Sequence, residues 1–233
     1  GAQSLAERVQ GAGDGTVRLS FASREGVCGS GPNSITILDD DDNEEWDGDC
    51  QRGPVRVSLR VRDGQVTDAE TYVGGRWRAG GAGVTDLGLV PTQQAVDLLL
   101  GLAPGVAGDD GGELVTAATL ADSVVVWPRL LRMARDERIR EETRRQAVFW
   151  LGQAAGEAAT RGLDSLVKDA GGDLEIRKQA VFALSQRPER EGVPVLIDIA
   201  RTNRHPEIRK TALFWLGQSE DPRALTLFEE ILR

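Results

Sequence analysis

Three versions of one octet constrain this chain more than any other feature. QAVFWLGQ (146–153), QAVFALSQ (179–186) and TALFWLGQ (211–218) recur 33 and then 32 residues apart. A fixed period of this size marks stacked supersecondary units, none of which can bury its hydrophobic face alone. Read at helical period, the first octet places Ala147, Val148, Phe149, Trp150 and Leu151 nearly all round the axis. Such a helix has to be covered on more than one side. A second apolar stretch follows each octet: Leu163, Leu166 and Val167; then Val195, Leu196, Ile199 and Ala200; then Leu225, Leu227, Phe228, Ile231 and Leu232. The repeating unit is therefore a helix pair. Leu151, Leu184 and Leu216 are expected at equivalent, fully buried positions.

The pattern also extends upstream. WPRLLRMAR (127–135) aligns with VPVLIDIAR (193–201), 66 residues later. PTQQAVDLLLGLA (91–103) and ELVTAATLAD (113–122) read as a worn earlier pair. At the other end, Leu225, Phe228 and Leu232 are expected to form one packed stripe, with Glu229, Glu230 and Arg233 as its polar back. A stack closed in that way needs no partner copy, so a monomer or weak dimer is expected.

Residues before about 84 follow a different period. TVRLSF (16–21) alternates so that Val17, Leu19 and Phe21 share a face, and VRVSLRVR (55–62) does the same with Val55, Val57, Leu59 and Val61. Asp63-Gly64 is a two-residue hairpin turn of the type that requires positive φ at both positions. A strict register would set Leu59 against Asp68 and Val57 against Glu70. One extra residue near Thr67 restores the match of Ala69, Thr71 and Val73 to the apolar face. SLAERVQ (4–10) reads as a short helix with Leu5 and Val9 on one side, and GGRWRAGGAG (74–83) as a loop or linker. Two domains are expected: 1–83, strand-rich with an acidic loop, and 84–233, helical. The strands should shield the first helices near Val96 and Leu99.

Charge and cysteines narrow the setting. The net charge of -9 is concentrated in DDDDNEEWDGD (39–49), which holds eight acids and no base. The rest of the chain is close to neutral, which argues against nucleic acid as a partner. No apolar run is long enough to span a membrane. Cys28 and Cys50 lie in glycine-rich loop sequence, GVCGSG and GDCQRG, and with a single histidine in the chain a zinc site has too few ligands. A disulfide is the expected state. The chain opens Gly-Ala-Gln without Met, as after removal of a signal peptide or as a tag remnant. Together these lead to the expectation of a periplasmic or secreted protein.

The octets are preceded by EIRK (175–178 and 207–210), and the last is followed by DPRAL (221–225). In these residues the chain resembles the short HEAT repeats, in particular those of the phycobilisome-lyase type. The resemblance covers roughly 91–233. It implies an α+β, mainly α architecture: a HEAT-like α-helical solenoid preceded by a small strand-rich segment. The arrangement is similar to exported bacterial HEAT-repeat proteins of unassigned role. It implies a scaffold or protein-binding surface, and the tetrapyrrole-handling members of the class supply the alternative, a lyase- or chaperone-like protein for a small molecule.

Residue-level candidates for chemistry are few. His205, in NRHPEIRK, suits a helix start, and no GxSxG elbow or HExxH pair accompanies it. No enzyme activity and no cofactor are expected. An EF-hand register on Gly48 puts Asn43, Glu45 and Asp47 at ligand positions but Pro54 at the twelfth, where a bidentate Glu is required, so the acidic run reads as a solvated loop with a looser calcium site as alternative. Arg144, Arg177 and Arg209 recur with the octets and are expected to tie repeats together through carboxylates such as Asp136, Asp169 or Asp173. Trp150, Trp215 and Trp127 fall at core positions. Trp46 and Trp77 have no periodic reason for burial. They are the candidates for contact with an unidentified protein partner, or for anchors of their own loops.

Overall fold

The structure is a computed structural model that describes residues 3–37 and 50–233. The acidic run 39–49, with Trp46 and the weighed calcium site, lies outside the described residues. The chain forms two compact units that part between Val126 and Trp127.

The first unit begins with α1 (Leu5–Gln10), whose Ser4 and Glu7 form a reciprocal capping box and whose Leu5 and Val9 are buried. Its main sheet contains β1 (Gly15–Phe21), β4 (Val55–Arg62), β5 (Gln65–Val73) and β6 (Val84–Leu89), in the order β5-β4-β1-β6. A separate hairpin pairs β2 (Val27–Gly31) with β3 (Ser34–Ile37). Val17, Leu19 and Phe21 of β1 and Val55, Val57, Leu59 and Val61 of β4 are all buried. Their alternation is the one read from the sequence. The β4–β5 turn has positive φ at both Asp63 and Gly64. Pairing runs Arg62↔Gln65 and Val61↔Val66, then skips Thr67 and resumes at Arg60↔Asp68. The bulge therefore falls on Thr67 and puts Leu59 opposite Ala69 and Val57 opposite Thr71. The free edge of β5 is closed by side chains: Asn33 Oδ1 accepts from Thr71 N at 2.7 Å, and Asp110 Oδ1 accepts from Ala69 N at 3.1 Å.

Cys28 and Cys50 are bonded, with Cα atoms 5.4 Å apart. Beside them, Gly29 and Gln51 exchange two backbone hydrogen bonds of 3.0 and 2.8 Å.

The sequence boundary at 83/84 differs from the division of the molecule. β6 pairs parallel to β1, so residues 74–83 are a crossover within the sheet and no linker. α2 (Thr92–Leu102) and α3 (Asp110–Thr119) pack on each other and on strands of this sheet. After α3 the chain bonds back to the segment following β1, through Arg24 N to Leu120 O and Asp122 N to Ala22 O. The worn helix pair thus belongs with the strands, and Ala95, Val96, Leu98 and Leu99 are buried there.

The second unit is a run of antiparallel helices: α4 (Trp127–Arg135), α5 (Glu141–Gln153), α6 (Glu157–Lys168), α7 (Leu174–Ser185), α8 (Glu189–Thr202), α9 (Pro206–Leu216) and α10 (Pro222–Ile231). The octets lie in α5, α7 and across the end of α9; α5 packs on α7 and α7 on α9. α6 packs on α8, and α8 on α10, as a second row. Leu151, Leu184 and Leu216 are fully buried. Gly152 marks how close the first row comes, since a Cβ there would stand 3.0 Å from Ala183 Cβ.

The last helix corrects the sequence reading. Leu225, Ile231 and Leu232 are exposed, at 64%, 57% and 85%, while Ala224 and Leu227 are buried. Asp221 caps α10 by accepting from Arg223 N at 2.9 Å, and its carboxyl is held down at about 2 by the Arg223 guanidinium. The resulting phase turns Ala224, small enough for close helix approach, to the neighbours in place of Leu225.

Two outcomes are expected. Leu184→Ala, in the middle octet, should cost about 2–5 kcal/mol in denaturant unfolding and more than Leu216→Ala, because a repeat draws its stability from both neighbours. Replacing both cysteines by Ser opens a loop spanning 22 residues and should cost roughly 3 kcal/mol, read from the same titration against the disulfide-bonded wild type.

Candidate functional site

The polar face of the first unit's sheet carries the arrangement most suited to a ligand. Alternation puts Arg18 and Ser20 of β1, Arg56 of β4 and Tyr72 of β5 opposite the buried apolar row. The crossover from β5 to β6 begins at Gly74 and Gly75, at φ 68° and 62°. Only glycine takes two such residues without strain, and this backbone turns both carbonyls toward Arg56. Arg56 Nε donates to Gly74 O at 3.0 Å, one terminal nitrogen to Gly75 O at 2.9 Å and the other to Ser20 Oγ at 3.1 Å. Its fork is fully used in pinning the crossover.

Trp77 follows within the crossover and is half-buried. The Arg18 guanidinium sits over its ring, 4.8 Å from the centroid, and the Tyr72 ring meets it edge-on at 5.3 Å. Arg18 also donates to Arg78 O at 3.0 Å. The Tyr72 hydroxyl donates to Glu70 at 2.8 Å. Burial, then Glu70, pushes the phenol up to about 12, so it stays protonated. These groups border a cavity of about 460 Å³ lined by Arg18, Arg56, Arg76 and Arg78 together with Tyr72 and Trp77, and among the described residues no carboxylate lines it. Gly29 and Gln51, next to the disulfide, form part of its wall. Two donors there, Arg18 Nε and Trp77 Nε1, are buried without a partner among the described residues.

Of the residues singled out in the sequence, the structure therefore brings Trp77 and the Cys28–Cys50 bond to one place. Trp77 anchors its loop and lines a cavity at once. In the sequence, Arg18 and Arg56 read as the outward residues of ordinary strands. The RWR triplet (76–78) inside a glycine-rich stretch was the available signal. His205 is the half-buried N-cap residue of α9. Among the described residues no group of His, Cys, Asp and Glu is placed to hold a metal ion, and no helix is long and apolar enough to cross a membrane.

The second unit is built around arginines. Arg144 Nε donates to Ala134 O and Arg177 Nε to Val167 O, each at 3.0 Å and each ten residues upstream. The acceptors are carbonyls in the last turns of α4 and α6, which the helices themselves leave unbonded. Arg144 also meets Asp173 at 3.3 Å, whereas Asp136 pairs with Arg138, which holds its carboxyl down at about 2. Arg209 reaches Asn203 O and Arg204 O instead of a helical carbonyl. The connection before α9, 203–205, is too short for the longer reach.

Arg187 was not legible in the sequence. It stands where the other repeats have Ala154 and Ser219, and it is buried. Its guanidinium donates to Thr160 Oγ1 and Gly152 O at 2.9 Å, to Gly156 O at 3.1 Å, to Ala154 O, and to Glu191 at 2.9 Å. The Glu191 carboxyl is held below its usual range by the Thr160 hydroxyl and then by Arg187.

One face of the octet helices remains uncovered. Phe149, Phe182 and Phe214 occupy the same octet position on α5, α7 and α9. Phe149 is 36% exposed and Phe214 58% exposed. Phe182 stacks across to Trp215 at 4.8 Å, and Phe214 meets Trp215 at 5.0 Å. A cavity of about 360 Å³ opens beside them, lined by Arg187, Trp215 and Gln218 among others.

Residues 163–233 match the family model for HEAT repeats. HEAT repeats are helical repeat modules that generally serve protein interaction and not catalysis, and this segment spans α6 from Leu163 to the last helix. Comparison with the curated proteins gave no match.

Arg187→Met should cost about 3–5 kcal/mol, since it strips four oxygen acceptors and one carboxylate of their donor together. Adding Glu191→Leu to that variant should recover part of the loss in the same denaturant titration.

Proposed function

We propose that this protein is a non-enzymatic interaction or scaffold module whose helical-repeat unit, a short HEAT solenoid, presents a surface to a protein partner in an oxidising compartment, the periplasm or the cell exterior. The observation that carries the reading is the phenylalanine row. The same octet position is aromatic in all three repeats, yet its side chain faces outward at Phe149 and Phe214. Core residues of a stack are repeated because they are buried; a repeated exposed aromatic is costly in water and suits a partner's apolar surface. The match of residues 163–233 to HEAT repeats supports the same class of role. The Cys28–Cys50 bond supports the compartment, because such bonds persist where thiols are not kept reduced.

The test compares the wild type with a Phe149→Ser/Phe214→Ser variant. Both side chains are partly exposed already, so the variant should keep its melting temperature within a few degrees. Crosslinking in a cell-envelope extract should recover one partner with the wild type. Loss of two aromatic anchors should weaken that partner by roughly thirtyfold or more. Equal recovery by both proteins would refute the phenylalanine row as the contact. Purified protein carrying a small molecule such as a tetrapyrrole, and no protein partner, would reverse the reading in favour of a lyase- or chaperone-like role.

A further inference from the structure

We infer that the arginine-lined cavity of the first unit is a binding site for a carboxylate carried by a ligand with an adjoining apolar group.

The argument starts from what the fold itself uses. Pinning the crossover to the sheet takes one bond from each of the three nitrogens of Arg56 and one bond of Arg18. Neither Arg76 nor Arg78 has a side-chain hydrogen bond or ion pair with any described residue, and both are exposed at the cavity's rim. Four guanidiniums around one cavity repel one another, and no acid among the described lining residues offsets them. A loop anchor requires only the first two.

The unmet groups are all donors. Arg18 Nε and Trp77 Nε1 are buried with no acceptor, and a buried donor left unpaired costs on the order of 1–3 kcal/mol. Arg18 stacks on Trp77, and the Tyr72 ring meets the indole edge-on. The phenol of Tyr72 already donates to Glu70. The site thus offers N–H groups and positive charge to its contents, with aromatic carbon beside them. A neutral ligand leaves the charge uncompensated, and a cation is repelled. A planar oxyanion fits the forks of Arg76, Arg78 and Arg18, while its apolar neighbour meets Tyr72 and Trp77. The volume, about 460 Å³, falls within the range of small-ligand sites.

Two sources can present this chemistry, a free small carboxylate or an acidic side chain of a peptide, and calorimetry on the full chain separates them. The probes are phenylacetate and its neutral amide, an acetylated and amidated Glu-Phe-Glu peptide, its Gln-Phe-Gln counterpart, and inorganic phosphate. The Glu peptide should bind at least roughly tenfold more tightly than the Gln peptide, and more weakly at high salt. Phenylacetate binding as tightly as the Glu peptide assigns the site to free carboxylates; the peptide binding alone assigns it to an acidic segment. Arg76→Ala/Arg78→Ala changes only exposed side chains, so it should keep the melting temperature and lose about tenfold in affinity or more. Trp77→Phe keeps a ring but removes the indole N–H and should weaken binding as well. The inference is overturned if neither carboxylate probe binds better than its neutral counterpart, if the double arginine variant binds unchanged, or if phosphate alone binds. None of these results bears on Phe149 and Phe214, so the proposed role of the repeats stands or falls separately.

Discussion

A helix that ends inside a stack leaves its last carbonyls without partners, in a place water does not reach. In the second unit the neighbouring repeat supplies the missing donors. Arg144 and Arg177 each reach back ten residues to a carbonyl near the end of the preceding helix. Arg187 does the same for the end of α5, meeting Gly152 O and Ala154 O. The charge is tolerable when buried because each guanidinium donates to carbonyl or hydroxyl oxygens, Arg187 through four such bonds, and because Asp173 and Glu191 stand beside two of the three. Close packing of the octet helices depends on this. Without the arginines, the rows marked by Leu151, Leu184 and Leu216 would bring unbonded carbonyls into the core along with the leucines.

The first unit solves a related problem on a sheet. Its crossover must pass over β4 and β1 to place β6 beside β1, and a glycine-rich segment has few side chains with which to hold itself down. Arg56 takes hold of two successive glycine carbonyls and Arg18 takes a third, with Trp77 clamped between Arg18 and Tyr72. Holding down a loop with guanidiniums has a side effect. It concentrates positive charge and N–H groups on one face, and the two arginines of the RWR run, Arg76 and Arg78, add to it with side chains that bond to no described residue.

Where the sequence was readable, the signal was local and periodic. The octets placed three buried leucines, and the mismatch of Leu59 with Asp68 placed the bulge at Thr67. Glycine-rich context and an even count paired Cys28 with Cys50. The errors share a cause as well. Ala224 was passed over for Leu225 because size and hydrophobicity favour leucine, whereas close helix approach favours the smaller residue. The boundary at 83/84 followed the change of period, but a parallel pairing of β6 with β1 cannot be seen in a period. The arginine cavity was invisible for the same reason: it is made by residues from three strands and a crossover, and only the folded chain brings them together.

Repetition separates structure from use in this chain, though imperfectly. Arg144 and Arg177 recur and are structural. Arg187 appears once and is structural too, because Thr160 and the carbonyls that end α5 happen to converge on it. Singularity alone is therefore no mark of a ligand site. The better criterion is what a residue leaves undone. Arg187 has an acceptor for each of its nitrogens, whereas Arg18 keeps a buried nitrogen unbonded to any described residue and Phe214 is exposed to water. Those two residues lie in different units and face opposite chemistries, one lacking an oxygen acceptor and the other an apolar cover. On that criterion the two surfaces we propose for this chain are separate, and neither can substitute for the other.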